Sequence, residues 1–150
     1  MLDKVEFNPE KVALIEFKII KAQVDTFEIF DINKVSGYQL EHSFKLAFNV
    51  DDKLVKADFS ISVKTDSRGN NENEATGSFH LIFIYRIENL HELAIPEKNK
   101  RLNINPALAN ALSSVTYSTS RGILLTRLQG TVLQNFVLPI INPNKLLVHN

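Results

Sequence analysis

The side chains that most often carry out chemistry are present in this chain, but their spacing does not assemble a site. Its four histidines stand at positions 42, 80, 91 and 149, without metal-ligand spacing to one another or to carboxylates. Ser120-Arg121-Gly122 is not a nucleophile elbow, because no ordered base follows it. The five glycines are scattered and form no phosphate-binding loop. The sequence therefore predicts a protein that is not an enzyme and that needs no metal or cofactor.

Charge and cysteine content further limit the classes of protein to which this sequence could belong. Acidic pairs such as Asp51-Asp52 stand in polar turns, where solvated surface is the usual outcome. The absence of cysteine excludes disulfides and thiolate sites, and it is compatible with a reducing cytoplasm. The charged start lacks an apolar signal core, and no apolar run approaches the roughly 18 residues of a bilayer span. With a net charge of zero, we expect a cytoplasmic protein that neither binds nucleic acid nor enters a membrane.

The pattern of apolar and polar residues predicts four strands in the first two thirds of the chain. Alternation marks residues 12–30, 38–50 and 55–63, and a slip of the apolar phase near Ile19-Ile20 predicts a β-bulge. A fourth strand at 78–87 contains five consecutive apolar residues, so it is covered on both faces or its outer face meets a partner. The strands predict an antiparallel sheet.

The connections are less regular. Residues 65–77 are polar and rich in asparagine, and they predict a mobile loop. Residues 88–104 contain apolar side chains without clear periodicity. Such side chains either pin a loop to the core or line a groove.

A helix is predicted after Asn105, which can cap it, and Pro106, which suits its first position. The β-branched run Val115-Thr116-Tyr117-Ser118-Thr119 leaves a strand open as the alternative. From Lys98 onward there are six basic residues and no acidic ones, so few charges would have to be desolvated if this segment were covered on two sides. We then expect the chain's own sheet to cover one side of the helix and a second subunit to cover another. The alternative is a surface helix rich in Ser and Thr. The interface residues recur at helical spacing: Leu108, Leu112, Val115, Thr119 and Gly122.

The run from Ser120-Arg121-Gly122 to Leu138-Pro139-Ile140-Ile141-Asn142-Pro143 resembles the C-terminal part of the SecB family. Four strands, a loop, a long helix and a short apolar tail also follow the order of a SecB protomer. The resemblance implies one SecB-like α+β domain over residues 1–150. It also implies a four-stranded antiparallel sheet with a long C-terminal helix packed on one face, assembled into dimers or tetramers.

The function that the resemblance implies is ATP-independent holding of unfolded polypeptides or preproteins in apolar grooves. Apolar residues at segment junctions are the candidates for client binding: Phe27, Phe30, Ile32, Leu90, Leu93, Ile95, Leu102, Leu146 and Leu147. We expect two departures from the SecB pattern. Residues 124–136 lengthen the connection between the Ser-Arg-Gly run and the Leu-Pro motif, and there is no tail that would engage the SecA motor. We therefore expect either an export chaperone that works with SecA or an antitoxin-type chaperone. A carrier of small hydrophobic ligands, with the helix closing over a curved sheet, is the alternative.

Overall fold

Residues 5–69 and 73–147 are described by a computed structural model. Its four long strands are β1 (Val12–Asp25), β2 (Val35–Asn49), β3 (Leu54–Ser67) and β4 (Thr76–Ile87). They form one antiparallel sheet in the order β1-β4-β3-β2, which confirms the predicted sheet. Because β3 and β4 are paired on both sides, β1 and β2 are the edges of this sheet.

Side chains alternate strictly along the two central strands. In β3 and β4 the odd-numbered residues, such as Phe59, Phe83 and Tyr85, are buried in the core. Ile82 and Ile84 lie on the opposite face and are half-buried. The five consecutive apolar residues of β4 are therefore divided between the two faces of the sheet.

Edge strand β1 contains two interruptions of its register with β4. The predicted bulge is confirmed between Ile19 and Lys21, and a second, unpredicted one lies between Leu14 and Glu16. Each bulge adds one residue, which returns the apolar side chains to the same face. Phe17 consequently pairs with core residue Phe83 across the strands, with ring centroids 5.0 Å apart.

The connection from sheet to helix is more ordered than its sequence indicated. A one-turn helix, α1 (Leu90–Leu93), precedes a small hairpin of β5 (Ala94–Pro96) and β6 (Leu102–Ile104). The backbone N–H of Asn105 donates to the carbonyl of Leu93 at 2.7 Å, which closes the base of the hairpin. Strands of three residues are too short to give a recognisable alternation, which is why the sequence did not predict them.

Helix α2 (Pro106–Arg127) confirms the predicted helix across the β-branched run. The side chain of Asn105 caps it by accepting from the backbone N–H groups of Ala107 and Leu108, at 2.9 and 3.2 Å. Its buried stripe recurs every four residues at Leu108, Leu112, Thr116, Ser120 and Leu124.

Of the three buried Ser and Thr hydroxyl groups of α2, two have hydrogen-bond partners, and the third, that of Ser120, has none among the described residues. Thr116 Oγ1 and the hydroxyl of Tyr85 share a buried hydrogen bond of 2.7 Å. Ser113 donates to the carbonyl of Ala109 at 2.8 Å. The Ser- and Thr-rich helix is thus a packed helix and not a solvated one.

The chain beyond α2, residues 128–147, forms a tail that runs back along the helix. Phe136 contacts Tyr38 of β2, with ring centroids 5.2 Å apart. The hydroxyl of Tyr117 in α2 donates to the carbonyl of Pro139 at 2.5 Å. The tail contains a short 3-10 helix, Pro143–Leu146, and residues 148–150 lie outside the described part.

The polar loop between β3 and β4 is shorter than predicted, and residues 70–72 of it lie outside the described residues. Glu74 pins its end by accepting hydrogen bonds from the hydroxyl of Thr65 at 2.5 Å and from the backbone and hydroxyl of Ser67 at 3.1 and 3.0 Å. Desolvation acts to raise the pKa of Glu74. These hydrogen bonds and the nearby Lys64 outweigh it and hold the pKa below the usual value.

Candidate protein-binding surfaces

The side of α2 that faces β1 carries an open apolar groove. Its volume is about 530 Å³, and Phe17, Ile19, Thr119, Gly122, Ile123 and Thr126 are among the residues that line it. A smaller groove of about 180 Å³ continues towards the start of the helix, where Phe7, Leu14, Leu112 and Val115 line it. We call the two grooves together the open flank.

Large apolar side chains of the open flank are in contact with solvent. Leu14, Phe17 and Val115 are 45%, 38% and 46% exposed. A Cβ atom added to Gly122 would have no neighbouring heavy atom within 4 Å. The chain itself therefore leaves room on this flank for another chain.

Three of the five residues predicted for an oligomer interface, Val115, Thr119 and Gly122, lie together on the open flank. Leu108 is instead buried in the core, with 0% exposure, and Leu112 lines the smaller groove but is only 1% exposed. The buried residues of α2 are spaced four apart, whereas the predicted interface residues are spaced alternately four and three apart. Because an α-helix has 3.6 residues per turn, the two sets diverge around the helix, and the predicted set moves from the core side towards the open flank.

A second apolar surface lies at the end of the sheet where the chain crosses from β1 to β2. Arg68 holds this crossover, since its backbone N–H donates to Lys34 O at 2.9 Å and its guanidinium to Asn33 O at 3.0 Å. Tail residue Leu133 reaches Gly77 at the same end. Large apolar side chains are exposed on the crossover, at Phe27 (49%) and Ile29 (90%), and on the tail that leaves this end of the sheet along α2, at Val137 (43%) and Ile140 (85%). We call these four side chains together the crossover end.

The residues predicted for client binding are divided between surface and core. Phe27 and Ile95 are exposed, and four others are half-buried: Phe30, Ile32, Leu102 and Leu147. Leu90, Leu93 and Leu146 are buried, with 0%, 2% and 2% exposure. The single turn of α1 places Leu90 and Leu93 on one side, three residues apart, so both enter the core.

Sequence reasoning missed Ile29 and Ile140, the two most exposed large apolar residues in the described part of the chain. Both lie in irregular segments beside residues that were singled out, Phe30 and Pro139. At Ile29 there was no sequence signal, because the predicted strand 12–30 included it, whereas β1 ends at Asp25.

Titratable groups do not gather into a reactive centre in the described residues. His80 Nε2 lies 2.5 Å from Asp58 Oδ1 on the outer face of the sheet. No group of three or more His, Asp or Glu residues within 5–69 and 73–147 is placed to hold a metal ion. Burial raises the pKa of the hydroxyls of Tyr85 and Tyr117, so these groups are neutral hydrogen-bond donors near pH 7. Among the described helices, none is long and apolar enough to span a bilayer.

Comparison with known proteins places the fold. A solved structure of the Mycobacterium tuberculosis Rv1957 SecB-like chaperone, in complex with a ChAD peptide from the Rv1956 HigA1 antitoxin, is similar to this chain. The alignment has a TM-score of 0.62 at 12% sequence identity and covers 88% of this chain and 91% of that one. The chain therefore has a SecB-like α+β fold, as its sequence predicted.

Other comparisons add little. A protein of unknown function from Streptococcus agalactiae aligns over 86% of this chain and 97% of its own at 12% identity, but with a TM-score of 0.31, too low to support a conclusion. No protein-family model matches the sequence. No curated protein matches it either.

Proposed function

We propose that this protein is an ATP-independent holdase chaperone that binds unfolded or extended polypeptide segments and works as a homo-oligomer without a cofactor. The observation that carries the proposal is the pair of exposed apolar surfaces on a SecB-like fold, the open flank and the crossover end. Apolar surface of this kind gains about 25 cal/mol per Å² when another chain covers it. Binding by area tolerates many client sequences, which suits a holdase.

The open flank is the proposed interface with a second copy of the chain. It combines a groove with the free edge of β1, where Ile15 and Ile20 are also exposed. Long apolar edge strands promote pairing with another chain. Small residues beside the groove, Ser118, Thr119 and Gly122, allow the close approach of a second backbone. A dimer formed here, or a tetramer built from it, would cover this surface permanently.

The crossover end is the proposed client site, together with the half-buried Phe30 and Ile32 beside it. Exposed Ile95, which follows the far end of β4, is proposed as a separate client contact. The most exposed side chains of the crossover end stand on irregular segments, which can adjust to different clients more easily than a sheet can. Several copies of the site in one oligomer would add avidity for a long unfolded chain.

Two kinds of client follow from what is known of similar proteins. The mycobacterial chaperone bound to an antitoxin peptide supports an extended antitoxin segment as a client here. A role in export, with preproteins as clients and SecA as a partner, rests on the sequence resemblance alone. In both cases we propose that the protein acts in the cytoplasm.

A carrier of small hydrophobic ligands is less well supported. Such a carrier needs a cavity between helix and sheet. That space is filled here by Tyr85, Leu112 and Leu124, all exposed by 2% or less. Helix and sheet are also joined by the hydrogen bond between Tyr85 and Thr116.

Suppression of aggregation tests the client site. A denatured, slow-folding protein is diluted into buffer without nucleotide, and light scattering is followed with and without the chaperone. We expect suppression at a near-stoichiometric ratio and a clear loss in the double variant Ile29→Ser/Ile140→Ser. Leu125→Ser, at a helix position with 40% exposure, is the control that retains activity. Wild-type protein that is folded but leaves scattering unchanged would contradict the holdase proposal.

Oligomeric mass tests the interface. Gly122→Leu places a large side chain in the groove, whereas the isolated chain offers nothing for it to strike. We expect light-scattering mass to fall while circular dichroism stays native. Ala107→Leu, at an exposed position near the start of the helix, keeps the mass of the wild type. An unchanged mass in Gly122→Leu would place the interface elsewhere.

A further inference from the structure

The tip of the β5–β6 hairpin carries three cations within four residues, Lys98, Lys100 and Arg101. All three are exposed. Within the described residues, none has a carboxylate partner within 4.0 Å, since the salt bridges of the described chain lie elsewhere. Glu97 also lies in the tip, which leaves residues 97–101 with a net charge of +2, and no Asp or Glu follows it in the sequence.

The backbone of the tip is fixed, although its charges are not paired. The N–H of Glu97 donates to Arg101 O at 2.8 Å, and the N–H of Lys100 donates to Glu97 O at 3.2 Å. Lys100 has a left-handed φ of 61°, where glycine or asparagine would fit at lower cost. Lys53, in the turn between β2 and β3, has almost the same φ, 60°, so this backbone conformation does not by itself distinguish the hairpin tip.

An apolar side chain lies on the same hairpin. Ile95, in β5, is 52% exposed, and its strand partner is Asn103 in β6. The hairpin thus offers a short apolar contact at its base and a cluster of positive charge at its tip. A ligand that complements both parts combines an apolar residue with acidic neighbours.

We propose that the β5–β6 hairpin selects client segments in which acidic residues flank an apolar stretch. The inference rests on the proposed holdase function and adds to it the charge of the preferred client. A peptide fits better than a nucleic acid because Ile95 accompanies only three cations and the whole chain has zero net charge. The unpaired cations attract acidic residues over about a Debye length, roughly 10 Å at 0.1 M salt.

Three fluorescent peptides test the proposal against the full chain by anisotropy. They share one apolar core and are flanked by Asp, by Lys or by Ser. We expect the Asp-flanked peptide to bind about tenfold more tightly than the Lys-flanked one at low salt. The difference should shrink as salt is raised. The variant Lys98→Gln/Lys100→Gln/Arg101→Gln should lose this preference and still bind the Ser-flanked peptide.

A matched control removes three other exposed lysines, in Lys45→Gln/Lys56→Gln/Lys64→Gln, which lie on the outer face of the sheet. It should retain the preference; an equal loss there would show an effect of net charge and would overturn the assignment to the hairpin. Equal binding of all three peptides by the wild type would overturn the inference and leave the holdase function intact. Binding of none of them would overturn the holdase function itself. Displacement of the Asp-flanked peptide by single-stranded oligonucleotide at the same salt would assign the hairpin to nucleic acid instead.

Discussion

The two flanks of helix α2 differ in what covers them. On the β2 side the chain's own tail lies against the helix and is held by specific contacts, such as the bond from Tyr117 to Pro139. On the β1 side a groove remains, and Phe17 and Val115 are partly exposed. We call the β2 side the closed flank. The chain itself thus covers one flank of the helix and leaves the other partly exposed.

The chemistry of the two flanks follows this division. The closed flank carries side chains that need fixed partners, since Asn110 also donates to Asn144 Oδ1 at 2.9 Å. The open flank carries small side chains, among them Thr119 and Gly122. Fixed hydrogen bonds suit a contact that forms once during folding. Small side chains suit a contact between whole subunits, because they let two backbones approach without prior ordering of long side chains.

The largest effect on stability is expected when one phenylalanine ring is removed from each flank. Phe136 is 4% exposed, so Phe136→Ala should lower the free energy of unfolding by about 3–5 kcal/mol at any protein concentration. Phe17→Ala, at 38% exposure, should cost less and should depend on concentration through assembly. Urea unfolding at two concentrations measures both. A concentration-dependent effect in Phe136→Ala would mean that the tail also takes part in the interface.

A smaller effect is expected where the tail meets the sheet. A Cβ atom on Gly77 would lie 2.7 Å from Leu133 Cδ1 and 2.9 Å from Val63 Cγ1. Gly77→Ala should therefore destabilise the fold by about 1–3 kcal/mol through overpacking. Urea midpoints measure this effect, and Leu133→Ala in the same chain should cost less than it does alone. Purely additive effects of the two substitutions would contradict the close approach of the tail.

Loss of a single hydroxyl gives a finer comparison. Tyr117→Phe leaves the carbonyl of Pro139 without its donor and should cost about 1 kcal/mol. Thr119→Val, on the open flank, should change the stability of the isolated chain by less than about 0.5 kcal/mol. Thermal unfolding of the two variants measures both effects. It is recorded at a protein concentration where the oligomeric mass is also measured, so that the two flanks can be compared. Equal destabilisation would mean that Thr119 has a fixed partner of its own.

The smallest effect on stability is expected at Glu74, which lies away from both flanks and serves as a reference. Glu74 has a lowered pKa in the folded chain, so its carboxylate stabilises the fold above its unfolded pKa, and this stabilisation is lost as pH falls through the folded value. Glu74→Gln should cost about 0.5–1 kcal/mol at pH 7 and less at pH 3, below the usual carboxyl pKa. Urea midpoints at the two pH values test this, with the mass unchanged. A constant difference at both pH values would show that charge is not involved.

The sheet and the helix could be predicted because their residues follow simple periods. Alternation defined β2 and β3, and the phase slip at Ile19-Ile20 located a bulge that is present. Asn105 and Pro106 located the start of α2 to the residue. The β-branched run at 115–119 was helical because buried hydroxyls found partners in three dimensions, including Tyr85 from a distant strand.

The surfaces were harder to predict than the elements. Exposure depends on which segment lies over which, and periodicity carries no information about that in irregular segments. Leu90 and Leu93 were expected in a groove and are in the core, whereas Ile29 and Ile140 are exposed. The five residues predicted for an oligomer interface share one side of a regular helix, but Leu108 and Leu112 are buried, and the interface itself stays a prediction.

The two bulges of β1 also limit how far the molecule can polymerise. An unbroken edge strand of 14 residues would offer a template on which copies could add without end, as in a fibril. In β1, regular pairing with β4 is interrupted after Leu14 and again after Ile19, which leaves regular runs of at most five residues. Each bulge bends and twists the strand, so a straight partner strand can follow one run but not the next. The edge can therefore be apolar without offering a continuous template for fibril growth.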